Sequence, residues 1–172
     1  MTETPQFLSL NIAVMTVSDS RTETTDKSGK LLADSLLAAG HQLAEKLIIP
    51  DNIYKIRAAI SRWIADEVVQ VVLTTGGTGV TGRDGTPEAI QPLLDKEIPG
   101  FGEIFRAISY EEIKTSTLQS RALAGVANGT YIFSLPGSTG ACRTGWQIVS
   151  QQLDSRHRPC NLAELIPRLR EI

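Results

Sequence analysis

The run "VVQVVLTT" (residues 68–75) constrains this chain more than any other feature. It is apolar on both alternating faces, and such a strand must be covered on both sides, which places it at the centre of a sheet flanked by helices. "LNIAVMTVSDS" (10–20), "HQLAEKLIIPD" (41–51) and "TYIFSLPGS" (130–138) read as further strands. Between them, "KSGKLLADSLLAAG" (27–40) reads as an amphipathic helix ending on a glycine cap. "NIYKIRAAISRWIAD" (52–66) sets Ile53, Ile56, Ile60 and Ile64 at helical spacing. Thr86-Pro87-Glu88 reads as a helix start with Thr86 as cap, "IPGFGE" (98–103) as a break, and "IFRAISYEEI" (104–113) and "CRTGWQIVSQQL" (142–153) as later helices. Strands alternating with helices predict one α/β domain over 1–172, built on a mostly parallel sheet, with 1–9 and 162–172 as peripheral tails.

Composition narrows the function classes. A chain of 172 residues that is 41% hydrophobic can bury a real core. A formal net charge of -2 argues against a nonspecific nucleic-acid binder. No apolar run approaches the ~20 residues that cross a bilayer, so no membrane partner is expected. The opening "MTETPQF" lacks the basic and apolar regions of a secretion signal, so a cytoplasmic location is expected. Cys142 and Cys160 lie in no Cys-x-x-Cys and are expected to be reduced thiols. His41 and His157 lack metal-ligand spacing, and Trp63 and Trp146 fall at helical core positions.

In a parallel sheet, ligands bind beyond the carboxyl ends of the strands. Polar segments fall there after each of the four strands: Ser18-Asp19-Ser20, Pro50-Asp51-Asn52, Thr74–Gly79 and Leu135–Gly140. The stretch "TTGGTGVTGRDGTPEA" (74–89) joins bare amides to hydroxyls, which suits an anion. It spells G-x-G-x-x-G at 77–82 but does not open a helix at once, and it has no Gly-Lys-Ser/Thr, so neither a dinucleotide fingerprint nor a Walker loop fits. A tight turn with local threonine hydrogen bonds is the alternative. Asp84 beside a phosphate loop asks for a cation, and Mg²⁺ is commonly held by one or two carboxylates plus phosphates; Asp51 is the second candidate. Against this, Asp84 can be a turn residue and Asp51 a helix cap. Gly137, Ser138 and Thr139 precede a helix, where they can meet an anion or act as simple caps.

Taken in order, "TTGGTG", "RDGTPEA", "PGFGE", Ser120-Arg121 and "LPGS" resemble the molybdopterin-binding family of molybdenum cofactor biosynthesis. That family includes molybdopterin adenylyltransferases and the G domains of plant and animal cofactor-insertion proteins. The similarity spans about Asn11 to Leu153, and "TSTLQSRALAGVANGTYIFSLPGSTGACRTGW" with "RPCN" looks most like the family's bacterial B branch. The resemblance implies a three-layer α/β/α sandwich, a homotrimer or homohexamer, and binding of molybdopterin. It further implies use of a purine nucleotide, ATP or GTP, and Mg²⁺ in the members that join AMP to the pterin's terminal phosphate. A non-catalytic molybdopterin or nucleotide carrier of the same pathway is the other function it allows.

By position, Asp51 and Asp84 match the catalytic, metal-binding acids. Thr75, Gly76, Gly77, Thr78 and Gly79 match the central loop, and Ser120, Pro136, Gly137 and Ser138 the pterin side. Ser18, Asp19, Asp26 and Gly29 match polar loops beside the pocket. Asn52 stands where enzymatic members often carry a second acid, and Gly140 where relatives often place a lysine, leaving Arg143 as the nearest cation in sequence. Phe101 and Phe105 are expected to be exposed and to serve a subunit contact.

Overall fold

Side-chain alternation along the first strand builds two separate cores, one on each face of a sheet. The structure, a computed structural model, describes residues 5–171. Strand β1 (Asn11–Val17) sends Ile12 and Val14 to one face and Ala13, Met15 and Val17 to the other. On the first face these meet Leu32 and Leu36 of helix α1 (Lys27–Ala38). On the second they meet Ile56, Ile60 and Trp63 of α2 (Ile53–Ala65), which lies between β2 (Gln42–Ile49) and β3 (Val71–Thr75). Burying each such side chain contributes about 1.5–3 kcal/mol, so the 3.6-residue stripe of α2 is held by packing more than by propensity.

After β3 come α3 (Thr86–Ile90), the short β4 (Lys96–Glu97), α4 (Pro99–Ile113), β5 (Leu123–Ala127), β6 (Thr130–Leu135) and α5 (Thr139–Leu153). The sheet order is β2-β1-β3-β6-β5-β4. The first four of these strands run parallel, and β5 and β4 are antiparallel to their neighbours. Helices α1, α4 and α5 cover one face and α2 and α3 the other, which is the expected three-layer α/β/α sandwich. Among the described residues no helix is long and apolar enough to cross a membrane.

Several local expectations change. "PGFGE" opens α4 instead of breaking a helix: Pro99 sits in the first turn, where its missing N–H costs nothing. Gly102 is needed inside that helix because a Cβ there would lie 2.7 Å from the Ala122 carbonyl oxygen. Phe101 and Phe105 are consequently buried against Phe133 and the sheet, and the exposed apolar residues of α4 are Ile104 and Ile108. Strands β4 and β5 were not expected at all. β5 joins β6 through Asn128-Gly129, both at positive φ (47° and 80°), the backbone that a two-residue hairpin demands. Thr86 is the first residue of α3 and not its cap; its hydroxyl donates to the Gly76 carbonyl instead.

Both ends of the described chain are docked. Phe7 packs on the His41 ring, and Ser155 Oγ donates to the Gln6 carbonyl. Residues 163–168 form a 3-10 helix with Ala163 buried, and Tyr131 donates its hydroxyl hydrogen to the Leu162 carbonyl. Cys142 and Cys160 are both free thiols. Burial pushes the Cys142 thiol up to about 11, so it stays protonated at neutral pH.

Candidate functional site

The strand order sets where a ligand can enter. β1 connects outward to β2 on one side, while β3 lies on its other side, so a crevice opens beyond the carboxyl ends of β1 and β3. Ser18-Asp19 and Gly76–Gly79 follow those two ends. The Gly76 N–H donates to the Leu135 carbonyl at the end of β6, which brings the Pro136–Ser138 turn alongside. Gly76 and Gly77 have φ of 101° and 67°, a region costly for any residue with a Cβ. A Cβ on Gly77 would also sit 2.3 Å from Thr86 Oγ1 and 2.9 Å from Asp51 Oδ2. Glycine therefore lets Asp51 and the start of α3 close onto the loop. Thr75 Oγ1, donating to the Pro136 carbonyl at 2.9 Å, ties the two turns together.

Asp51 accepts a hydrogen bond from the Gly85 N–H at 3.3 Å, and its own N–H donates to Asp19 Oδ1 at 3.1 Å. Asp19 in turn is paired with Arg83. Burial pushes the Asp51 carboxyl above the usual carboxylate range, and the charges of Asp84 and Asp19 push it the same way. Asp84 goes the other way: the Thr81 hydroxyl donates to its Oδ2 at 2.6 Å and the Thr81 N–H at 2.9 Å, holding its carboxyl low. Asp51 is not the cap of α2; Asn52 Oδ1 does that, accepting from Tyr54 and Lys55 at 3.1 Å. Asp84 is a turn residue, and it also lines a cavity. The two acids flank the glycine loop, with Arg83 lowering the Asp51 carboxyl and Arg121 the Asp84 carboxyl, so part of their negative charge is offset within the fold. Among the described residues no group of three or more His, Cys, Asp or Glu could hold a metal. A Mg²⁺ ion fits here only with phosphate and water completing its shell, which is how that ion is ordinarily bound.

Arg121 carries more than the sequence suggested. Its Nε donates to the Gly79 carbonyl at 2.8 Å and its Nη2 to the Asp84 carbonyl at 3.0 Å, while Nη1 pairs with Glu88 of α3. One planar guanidinium thus clamps both ends of the segment between Gly79 and Asp84. Only a rigid five-donor fork reaches three such acceptors.

Two cavities open beside these loops. The first, about 440 Å³, is lined by Gly77, Thr78, Gly79 and Asp84 at one end and by Phe105, Ser109, Glu112 and Ile113 of α4 at the other. Ser120 and Pro136 also line it, and the buried Ser120 hydroxyl has no hydrogen-bond partner. The second, about 500 Å³, is lined by Ser18, Asp26, Thr75 and Gly76 with the cations Arg21 and Lys27. Gly137 and Ser138 line both, so the N-terminus of α5 forms their common wall. Ser138 Oγ also caps α5, accepting from Ala141 N–H at 3.1 Å.

Three expected site residues line neither cavity: Asp19, Gly29 and Asp51. Asp26 touches the second but spends its acceptors on the fold. It takes hydrogen bonds from the Gly29 N–H at 2.9 Å and Thr16 Oγ1 at 2.8 Å, with Lys46 Nζ at 3.0 Å. Burial opposes its ionisation, but these bonds outweigh that and hold its carboxyl below the usual range. Gly29 is small for the same reason, since a Cβ would lie 2.2 Å from Asp26 Oδ2. The α4 residues that complete the first cavity were read only as helix; nothing in their spacing marks them as a wall.

Residues 13–155 match the family described as "Probable molybdopterin binding domain". The chain is 58% identical over 157 residues to molybdenum cofactor biosynthesis protein B of Escherichia coli (strain K12), covering 91% of this chain and 92% of that protein. A crystal structure of a molybdenum cofactor biosynthesis protein B superposes with a TM-score of 0.86 at 41% identity, over 96% of this chain and 98% of the other. The tungsten cofactor synthesizing protein MoaB from Pyrococcus furiosus gives 0.79 at 37% identity, over 95% and 98%.

Proposed function

The chain belongs to the family of molybdopterin-binding domains, and from that premise we propose that it acts in molybdenum cofactor biosynthesis, joining an adenylyl group to the terminal phosphate of molybdopterin. The observation that carries this reading is the pair of cavities meeting at Gly137-Ser138. The first has an apolar side formed by Ile113 and Pro136 over the buried Phe105, suited to a pterin. The second presents Arg21 and Lys27, suited to the phosphates of a purine nucleotide, ATP or GTP. The α5 N-terminus between them attracts both anions to one wall.

In the reaction, an oxygen of the pterin phosphate forms a bond to the nucleotide α-phosphorus. The bond from that phosphorus to the bridging oxygen breaks, and pyrophosphate leaves. The protein orients the two phosphates and needs no covalent intermediate. Asp51 and Asp84 would hold Mg²⁺, which supplies neutralisation of the charge on the departing pyrophosphate. Asp19 and Arg83 brace Asp51, and Arg121 braces Asp84. A non-catalytic carrier is the second reading, favoured by Asn52 in place of an acid and by Asp84 Oδ2 already accepting two bonds from Thr81.

The cytoplasm is the proposed location. A homotrimer or homohexamer is the proposed assembly, supported by Ile104 and Ile108, which stay exposed around an apolar hollow of about 390 Å³.

Pyrophosphate release from molybdopterin, ATP and Mg²⁺ tests the reading. Asp84→Asn should lower turnover by orders of magnitude while pterin binding changes little. Equal turnover of Asp84→Asn and wild type rejects the metal role. Binding of both ligands by wild type without pyrophosphate release favours the carrier.

A further inference from the structure

The first cavity holds a carboxylate that the proposed transfer does not use. Glu112 lies near the end of α4, and Thr144 of α5 donates to it, its hydroxyl 3.1 Å from both Oε1 and Oε2. Thr144 is buried, so it fixes the carboxylate from behind. One hydroxyl hydrogen satisfies only part of what two carboxylate oxygens can accept. No lysine or arginine lines this cavity among the described residues, so Glu112 presents free acceptor capacity to whatever fills it.

We propose that Glu112 is the residue that selects the pterin, accepting hydrogen bonds from its 2-amino group and N3–H. The inference rests on the reading of this cavity as the pterin site. A 2-amino-4-oxopyrimidine edge carries two adjacent donors, and a carboxylate matches them in bidentate fashion. Position agrees with this. Thr144 stands six positions after the helix cap Ser138, a rise of roughly 9 Å along α5. A ligand with its phosphate at the α5 N-terminus therefore directs its ring system toward Glu112. The other carboxylate in the cavity, Asp84, stands at the glycine-loop end with Oδ2 engaged by Thr81. Apolar contact with Ile113 and Pro136 would hold many heterocycles, so the choice among them falls to Glu112.

The test compares two probes that differ at one group: 6-hydroxymethylpterin and 6-hydroxymethyllumazine, in which an oxo group replaces the 2-amino group. Both are measured by equilibrium dialysis against the full chain. Wild type should prefer the pterin by about tenfold or more, because lumazine points an acceptor at the carboxylate. Glu112→Gln supplies an amide N–H to that oxo group, so the preference should collapse or invert while the melting temperature holds. Glu111→Gln, on the same helix but outside the cavity, should keep the wild-type ratio. An unchanged ratio in Glu112→Gln overturns the proposal and leaves the pterin site standing. Failure of wild type to bind either probe overturns the pterin site itself, and this inference with it.

Discussion

Arg121→Ala removes the clamp on the glycine loop, and its cost can be worked from the bonds it makes. Two guanidinium hydrogen bonds to carbonyls are lost, at 2.8 Å to Gly79 and 3.0 Å to Asp84. Hydrogen bonds that involve a charged group contribute about 1.5–3 kcal/mol each. The third contact, to Glu88, joins two partly exposed side chains and adds at most about 1 kcal/mol. Local relaxation returns part of this, because the loop carbonyls can turn to water once the side chain is gone. A net loss of about 2–4 kcal/mol follows, or roughly 5–15 °C in melting temperature for a domain of this size. Arg121→Lys keeps the charge but cannot reach both carbonyls from one ammonium, so it should recover only part of the loss. Thermal unfolding by circular dichroism measures both variants. Nucleotide-dependent turnover should fall further than stability alone explains, because the clamp fixes Asp84. An Arg121→Ala protein melting within about 2 °C of wild type would refute the clamp, since no single charged hydrogen bond is worth so little.

Asp26 has a lowered folded pKa, so its stabilisation is complete above the unfolded carboxylate value of about 3.9 and drains as pH falls through the lower folded value. Chemical denaturation from pH 7 to pH 2 should show this loss, and Asp26→Asn should be weaker at pH 7 and flatter in that acid range. Ile104→Asp places a charge on the exposed apolar hollow; light scattering should then give a smaller mass than wild type, with the fold retained because Ile104 is 53% exposed. An unchanged mass would move the subunit contact elsewhere.

How much was legible in the sequence depended on whether a residue's role was local. The strands β1 and β3 announced themselves because full burial on both faces requires unbroken apolar residues, and α2 because one buried stripe requires helical spacing. The hairpin of β5 and β6 is signalled by Asn128-Gly129, a turn flanked by two apolar runs, but its first strand is weakly marked because "LAGVA" is short and poor in β-branched residues. The start of α4 was misread for a subtler reason. Proline and glycine read locally as breakers, whereas Pro99 begins the helix and Gly102 makes room for the Ala122 carbonyl, a long-range contact no window of sequence contains. The same division runs through the candidate site. Gly76, Gly77 and Asp84 could be named because the loop carries its own chemistry, but what they do there is shared with distant partners. The hydroxyls that made the loop look like a phosphate cradle are largely turned to the protein: Thr75 to Pro136, Thr81 to Asp84 and Thr86 to Gly76. They fasten the loop to its neighbours, which in the proposed site leaves backbone amides, the α5 N-terminus and the unpartnered Ser120 hydroxyl for a ligand. At the glycine loop the proposed site is therefore chiefly a backbone surface stiffened by side chains. Substitutions that unfasten the loop, at Arg121 or Thr86, should injure ligand binding as much as substitutions of the residues that line it.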